Sequence, residues 1–104
     1  MTADVDDSLV DLPRYHLRLF VTGATMRSQH AIANMKRICE DRLKDRYELE
    51  VIDVYENPEA TRDYQIVATP TLVKVLPEPL RRIIGDLSDT ERVLAGLALD
   101  PIRI

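Results

Sequence analysis

From residue 15 the chain alternates between apolar and polar positions. Tyr15, Leu17, Leu19 and Val21 fall on one side, His16, Arg18 and Phe20 on the other, and Gly23 closes the run. A period of two predicts a half-buried strand. The period then changes. In "ATMRSQHAIANMKRICEDRLKDR" the apolar residues Ile32, Met35, Cys39 and Leu43 recur at spacings of three and four, which predicts an amphipathic helix with Ser28 as its cap. "YELEVIDVYEN" is rich in β-branched residues and predicts a second strand. Asn57-Pro58 opens a short helix, Asn as cap and Pro at the first helical position, running through "EATRDYQI". "TPTLVKVL" predicts a third strand entered through Thr69-Pro70; Pro77 and Pro79 end it and set a turn. "LRRIIGDL" predicts a fourth strand whose Arg81-Arg82 start lies near a sheet edge. Ser88 opens "SDTE", a capping box in which Ser88 and Glu91 satisfy each other's helix-end amides, and Val93, Leu94 and Leu97 give the last helix its apolar face. Residues 1–13 are acidic, small and end in Pro13, and are expected to form a flexible tail. Residues 14–100 make one folded domain, and 101–104 a short C-terminal tail.

The predicted fold is therefore α/β, in the order β-α-β-α-β-β-α. A β-α-β start demands a right-handed crossover and a parallel pair, and the hairpin after the second helix supplies antiparallel partners. That succession is the thioredoxin topology. In it the residue before the third strand is commonly a cis-proline, and Thr69-Pro70 stands in that place. The stretch "VATPTLVKVLPEPLRRIIGDLS" holds three of the six prolines, and turn and edge punctuation is their plainest use.

Composition narrows the function classes. The 104 residues fit one domain, and with no Trp and a single Phe the core must be largely aliphatic. A formal net charge of −4 argues against nucleic acid as the main partner, because phosphate binding wants a basic face. Basic clusters exist in "KRICEDRLKDR" and "PLRRII", but the first interleaves acids with bases and reads as a solvated helix face. The one cysteine, Cys39, excludes an internal disulfide and any CxxC pair, which fits a reducing cytoplasm. The N-terminus has no basic region of the signal-peptide kind, and no apolar run approaches the ~20 residues of a membrane span.

Candidate chemistry is sparse. A redox thioredoxin carries its cysteines between the first strand and first helix, where this chain reads "TGATMRSQ". Cys39 lies about three turns into the helix and on its apolar stripe, which predicts core packing. His16 and His30 have no spacing that specifies a metal or a base. Asp53 and Asp86, each at a strand end, are expected to cap turns. The three glycines form no phosphate-binding loop. No cofactor and no metal is expected, and a non-catalytic binding domain is the default.

The runs "LRLFVTGAT", "YELEVIDVYENPEAT" and "ATPTLVKVLPEPLRRIIGDLSDTERVLAGL" resemble the KaiB family of cyanobacterial-type circadian clocks over about residues 15–98. The related sensor domain of the clock histidine kinase is a more distant likeness. The KaiB resemblance implies a metamorphic protein. One state would be a tetrameric ground state of order β-α-β-β-α-α-β; the other, the thioredoxin-like monomer, would bind the N-terminal ATPase ring of a KaiC-like ATPase and then recruit a KaiA-like protein. It implies partner-binding residues Lys74, Arg81 and Arg82, with Glu50 and Gln65 on less direct ground, and a fold-switch region containing Thr69, Pro70, Pro77, Pro79, Gly96 and Ala98. Exposed strand charges that protect an edge are the alternative role for the cations.

The chain departs from the family pattern in several places. Gly96-Leu97-Ala98 stands where members carry Gly-Leu-Asp, and because Ala is the better helix former this is expected to favour the thioredoxin-like state. Ala24-Thr25-Met26 replaces Asn-Thr-Pro, His30 and Gln65 stand at customary basic positions, and the acidic C-terminal extension is not seen after "DPIRI". These changes point to a paralogue paired with its own KaiC-like ATPase. Two other readings compete: a thiol transferase or peroxidase using Cys39, and a purely structural homo-oligomer.

Overall fold

The computed structural model describes residues 13–99. The expected tails at 1–13 and 101–104 lie outside the described residues, apart from Pro13. The elements are β1 (Tyr15–Val21), α1 (Met26–Arg42), β2 (Tyr47–Asp53), α2 (Pro58–Asp63), β3 (Thr71–Leu76), β4 (Arg81–Ile84) and α3 (Thr90–Gly96). The order is the one the alternation predicted, and the alternative tetramer order is not the one adopted here. The strands form one sheet, β2-β1-β3-β4, with β1 parallel to β2, and β3 antiparallel to both β1 and β4.

The central strand carries the core on both its faces. Tyr15, Leu17, Leu19 and Val21 pack against Ala31, Met35, Ile38, Cys39 and Leu43 of α1 and its C-cap, and against Val93, Leu94 and Leu97 of α3, with Leu72 and Ile83 between them. The stripe on α1 is thus wider than the sequence spacing predicts: Ala31 and Ile38 are buried, while Ile32 is only partly so. On the opposite face Phe20 is fully buried beside Tyr64, their rings 5.8 Å apart. The Tyr15 hydroxyl reaches across the core and donates to Leu97 O at 3.1 Å.

Several local expectations are corrected. Helix α1 is capped by Thr25, whose Oγ1 accepts from Ser28 N; Ser28 itself is buried, and its Oγ accepts from Thr22 N at 3.2 Å. The cap lies three residues earlier because Gly23, at φ +53, turns the chain directly out of β1. Helix α2 stops at Asp63, so Tyr64–Ile66 are not helical, and Gln65 adopts φ +55. Asn57 occupies the cap position, but its amide donates to Asp53 O. The capping box at Ser88 does not form. Leu87 turns through φ +65, Ser88 N is taken by Asp86 Oδ1, and Asp89 caps α3 by accepting from Arg92 N. Asp53 Oδ1 likewise accepts from Tyr55 N, so both aspartates close turns as expected. β2 ends at Asp53 and β4 spans only Arg81–Ile84, both shorter than the apolar runs.

Ala98 is the correction with the largest consequence. Helix α3 ends at Gly96, with Leu97 as its C-cap, and Ala98 sits in the left-handed region at φ +61. Helix propensity is therefore irrelevant at this position. The left-handed region penalises Ala and tolerates Gly, Asn and Asp, so Ala98 does not favour this fold through helicity. Gly96 has a packing reason: a Cβ there would lie 2.8 Å from Ile83 Cγ1 and closer still to Cδ1. The peptide bonds preceding Pro70, Pro77 and Pro79 are all cis.

Candidate partner-docking surface

Parallel pairing sets Arg18 opposite Glu50, the antiparallel ladder sets Arg18 opposite Val73, and Val73 faces Arg82. One row of the sheet therefore reads Glu50, Arg18, Val73, Arg82 on the face away from α1 and α3. Arg18 Nε donates to Glu50 Oε1 at 3.0 Å, and its guanidinium carbon lies 5.2 Å from the centre of the Tyr64 ring. Arg82 Nε donates to Tyr64 O at 2.9 Å. The chain of contacts Glu50–Arg18–Tyr64–Arg82 crosses the whole sheet. His16 joins it: Nε2 donates to Glu50 Oε1 at 2.9 Å and lies 3.9 Å from Glu48 Oε1. The His16 hydrogen bond, with Arg18 beside it, holds the Glu50 carboxyl below its ordinary range.

The expected partner residues divide. Glu50, Gln65 and Arg82 are exposed and come together on this face, Gln65 directly following the carbonyl that Arg82 holds. Arg81 is exposed too, but belongs to the opposite face, beside Lys74 and Ile83. Lys74 is a correction. It is 1% exposed, and Nζ donates to Pro77 O at 2.6 Å and Pro79 O at 2.8 Å, so its ammonium is turned under the β3–β4 turn and is not presented to a partner. Residue spacing missed Arg18 and Tyr64. Alternation placed Arg18 beside His16, but only the strand register brings it to Glu50.

The end of the sheet that holds chemistry in redox thioredoxins is different here. Thr22 Oγ1 and Thr69 Oγ1 hydrogen bond to one another, and Thr25 Oγ1 donates to Ser28 Oγ at 2.9 Å, so hydroxyls occupy the loop. A cleft of about 180 Å³ beside them is lined by Thr22, Val54, Thr61 and Ile66–Thr69. Met26, Tyr55 and Val67 stand exposed at this end of the sheet, at 69%, 78% and 89%. Cys39 is fully buried, and burial followed by the Glu40 carboxylate pushes its thiol up to about 12, which denies it thiolate character near neutrality. Among the described residues no group of three or more His, Cys, Asp or Glu side chains is placed to hold a metal ion, and no helix is long and apolar enough to cross a membrane.

The comparisons with known proteins agree with this architecture. The chain matches the model of the KaiB domain over residues 18–99. It is 53% identical over 92 residues to circadian clock protein KaiB3 of Synechocystis sp., covering 88% of this chain and 90% of that protein. It is 53% identical over 85 residues to the circadian clock oscillator protein KaiB of Rippkaea orientalis, covering 82% of each. Among solved structures, the N-terminal domain of SasA from Synechococcus elongatus superposes with a TM-score of 0.69 at 28% identity, covering 89% of this chain and 91% of that one. Mitochondrial thioredoxin 3 of Saccharomyces cerevisiae superposes with a TM-score of 0.67 at 16% identity, covering 93% and 90%, which is a likeness of fold alone. With the family model spanning nearly the whole described chain and relatives matching at half their residues, the chain belongs to the KaiB family.

Proposed function

We propose that this chain is a non-catalytic regulatory module of a circadian-type clock, cytoplasmic, which in the thioredoxin-like conformation docks as a monomer on the N-terminal ring of a KaiC-like ATPase and so prepares a site for a KaiA-like protein. The contact surface is the open sheet face with Arg82, Arg18, Glu50 and Gln65, extended at the strand end by the exposed apolar residues Val67 and Tyr55. The observation that carries the reading is the row Glu50–Arg18–Val73–Arg82, which holds two guanidinium groups in fixed positions on a face with little helical cover. Fixed cations on such a face suit an acidic patch, and they set on-rate and register more than raw affinity. Thr69, Pro70, Pro77, Pro79, Gly96 and Ala98 remain the proposed switch region. Family membership supports the clock assignment, and a buried thiol held at about 12 supports the absence of thiol catalysis.

Arg82→Glu tests the contact role. It reverses a charge on the exposed edge strand, and binding to the KaiC-like ATPase from the same genome is expected to weaken by about tenfold or more, with a reduced salt dependence. Unchanged affinity, measured by interferometry at two salt concentrations, removes Arg82 and this face from the interface.

A further inference from the structure

The β3–β4 connection has a donor deficit. A tight turn normally closes when a backbone N–H after the bend reaches the carbonyl before it. Here the segment between the strands is Pro77-Glu78-Pro79-Leu80, and neither proline has an N–H. Among the described residues, no backbone hydrogen bond outside the strand ladders involves residues 75–80. The strand that depends on this turn is short and at an edge: Arg81–Ile84 pairs only with β3.

Lys74 supplies what the backbone lacks. It lies two residues beyond Leu72, opposite Leu17 on one side and Arg81 on the other, where the β1–β3 register shifts. Its side chain doubles back along the strand, and one ammonium bonds the carbonyls of both prolines, at 2.6 and 2.8 Å. An ammonium has three donors in a compact head and suits two carbonyls that approach from different directions. Lysine is almost never fully buried unless its charge is matched. Here the matching groups are main-chain carbonyls, since no carboxylate of the described residues lies within 4.0 Å of Nζ. Burial, and then the neighbouring Arg81 charge, make the ammonium harder to keep, which is the cost of this placement.

We propose that Lys74 is a latch on the edge strand: with its ammonium under the turn, β4 stays paired, and when the ammonium withdraws, residues 77–84 leave the sheet as one unit while β1, β2 and α1 stay folded. The latch goes beyond the docking reading and does not rest on it, because it needs no partner.

The test is amide hydrogen exchange on the full chain, comparing the native protein with Lys74→Met, which keeps the bulk of the stem and removes the donors. Exchange at Arg81, Ile83 and Gly85, whose N–H groups face β3, is expected to rise about tenfold or more, the size of a lost charged hydrogen-bond set, while Leu17, Leu19 and Ile52 change little. Unchanged exchange in β4, or an equal rise at every site, overturns the latch. Should the Met variant not fold, the native chain answers alone, for it has three lysines, of which Lys36 and Lys44 are exposed. Under slow acetylation with an activated ester, Lys74 is expected to react by local opening, at a rate insensitive to low urea, because little surface is exposed. A Lys74 rate that climbs with urea from the outset, parallel to global unfolding, means that it opens only with the whole fold and overturns the proposal.

Discussion

The two halves of this chain are held by different means. In residues 15–53 regular backbone does most of the work: a seven-residue central strand, a seventeen-residue helix and a parallel partner strand with unbroken register. Asp45 is the one non-glycine residue there with a left-handed backbone, in the turn after the helix. In residues 64–98 the elements are of four to seven residues, and Gln65, Leu87 and Ala98 all carry positive φ. Side chains reach for carbonyls throughout this half: Lys74 to Pro77 and Pro79, Arg82 to Tyr64, Arg92 to Ile84, and, from the first half, Asn34 to Asp86 and Tyr15 to Leu97. The first half follows its local preferences; the second is shaped by tertiary contacts that override them. Its stability in this conformation therefore depends on a few long-range bonds more than on helix or strand propensity.

Leu19→Ala challenges that comparison most strongly. Leu19 is fully buried on the strand shared by both halves, and its truncation should cost about 2–5 kcal/mol in urea unfolding. Because β1 pairs with both β2 and β3, probes in the two halves should lose stability together; a loss confined to one half would break the picture. Asp89→Ala and Ser88→Ala sharpen it next. The first removes the cap of α3 and should cost about 1 kcal/mol, whereas the second should stay within about 0.5 kcal/mol, and equal effects would restore the capping box at Ser88. Ala98→Gly should raise stability by about 0.5–1 kcal/mol, since Gly relieves the left-handed strain that Ala bears; a fall would mean that residue 98 is helical in solution.

The smallest effect is in the pH profile. The folded state depresses the Glu50 carboxyl, chiefly through the His16 hydrogen bond. Its contribution is therefore fully present above the ordinary carboxylate range and disappears as pH falls through the lowered folded value. Comparing the acid limb of thermal unfolding for the native chain and Glu50→Gln should show a shallower slope in the variant. Identical slopes would mean that the His16–Glu50 contact is not formed in solution.

Much of the fold was legible because two periods carry it. Alternation at Tyr15–Val21 gave the central strand and its core face, and the spacing of Met35, Cys39 and Leu43 gave the helix over it. Proline positions marked the entry to β3 and the turn after it. Features that depend on backbone direction were not legible. Thr25 and Asp89 displaced Ser28 and Ser88 as caps because Gly23 and Leu87 turn the chain through left-handed conformations just before each helix. Part of the candidate docking surface was legible as exposed polar residues, the charged Glu50 and Arg82 and the amide Gln65. Arg18 became visible only with the strand register, and Lys74 is indistinguishable in sequence from an exposed strand cation until the carbonyls beneath the turn are located.

The place of β1 in the sheet also matters during synthesis. The strand leaves the ribosome first, and β2 can pair along one of its sides as soon as α1 has emerged. Its other side waits for Thr71–Leu76, and its Tyr15 hydroxyl waits for Leu97, near the end of the described chain. Until then the nascent protein carries a bare apolar strand edge, Leu17-Arg18-Leu19-Phe20, of the kind that recruits other chains. The order in which this domain is translated thus leaves one edge of its central strand bare until the third strand is out, and chaperone dependence should fall sharply at that point.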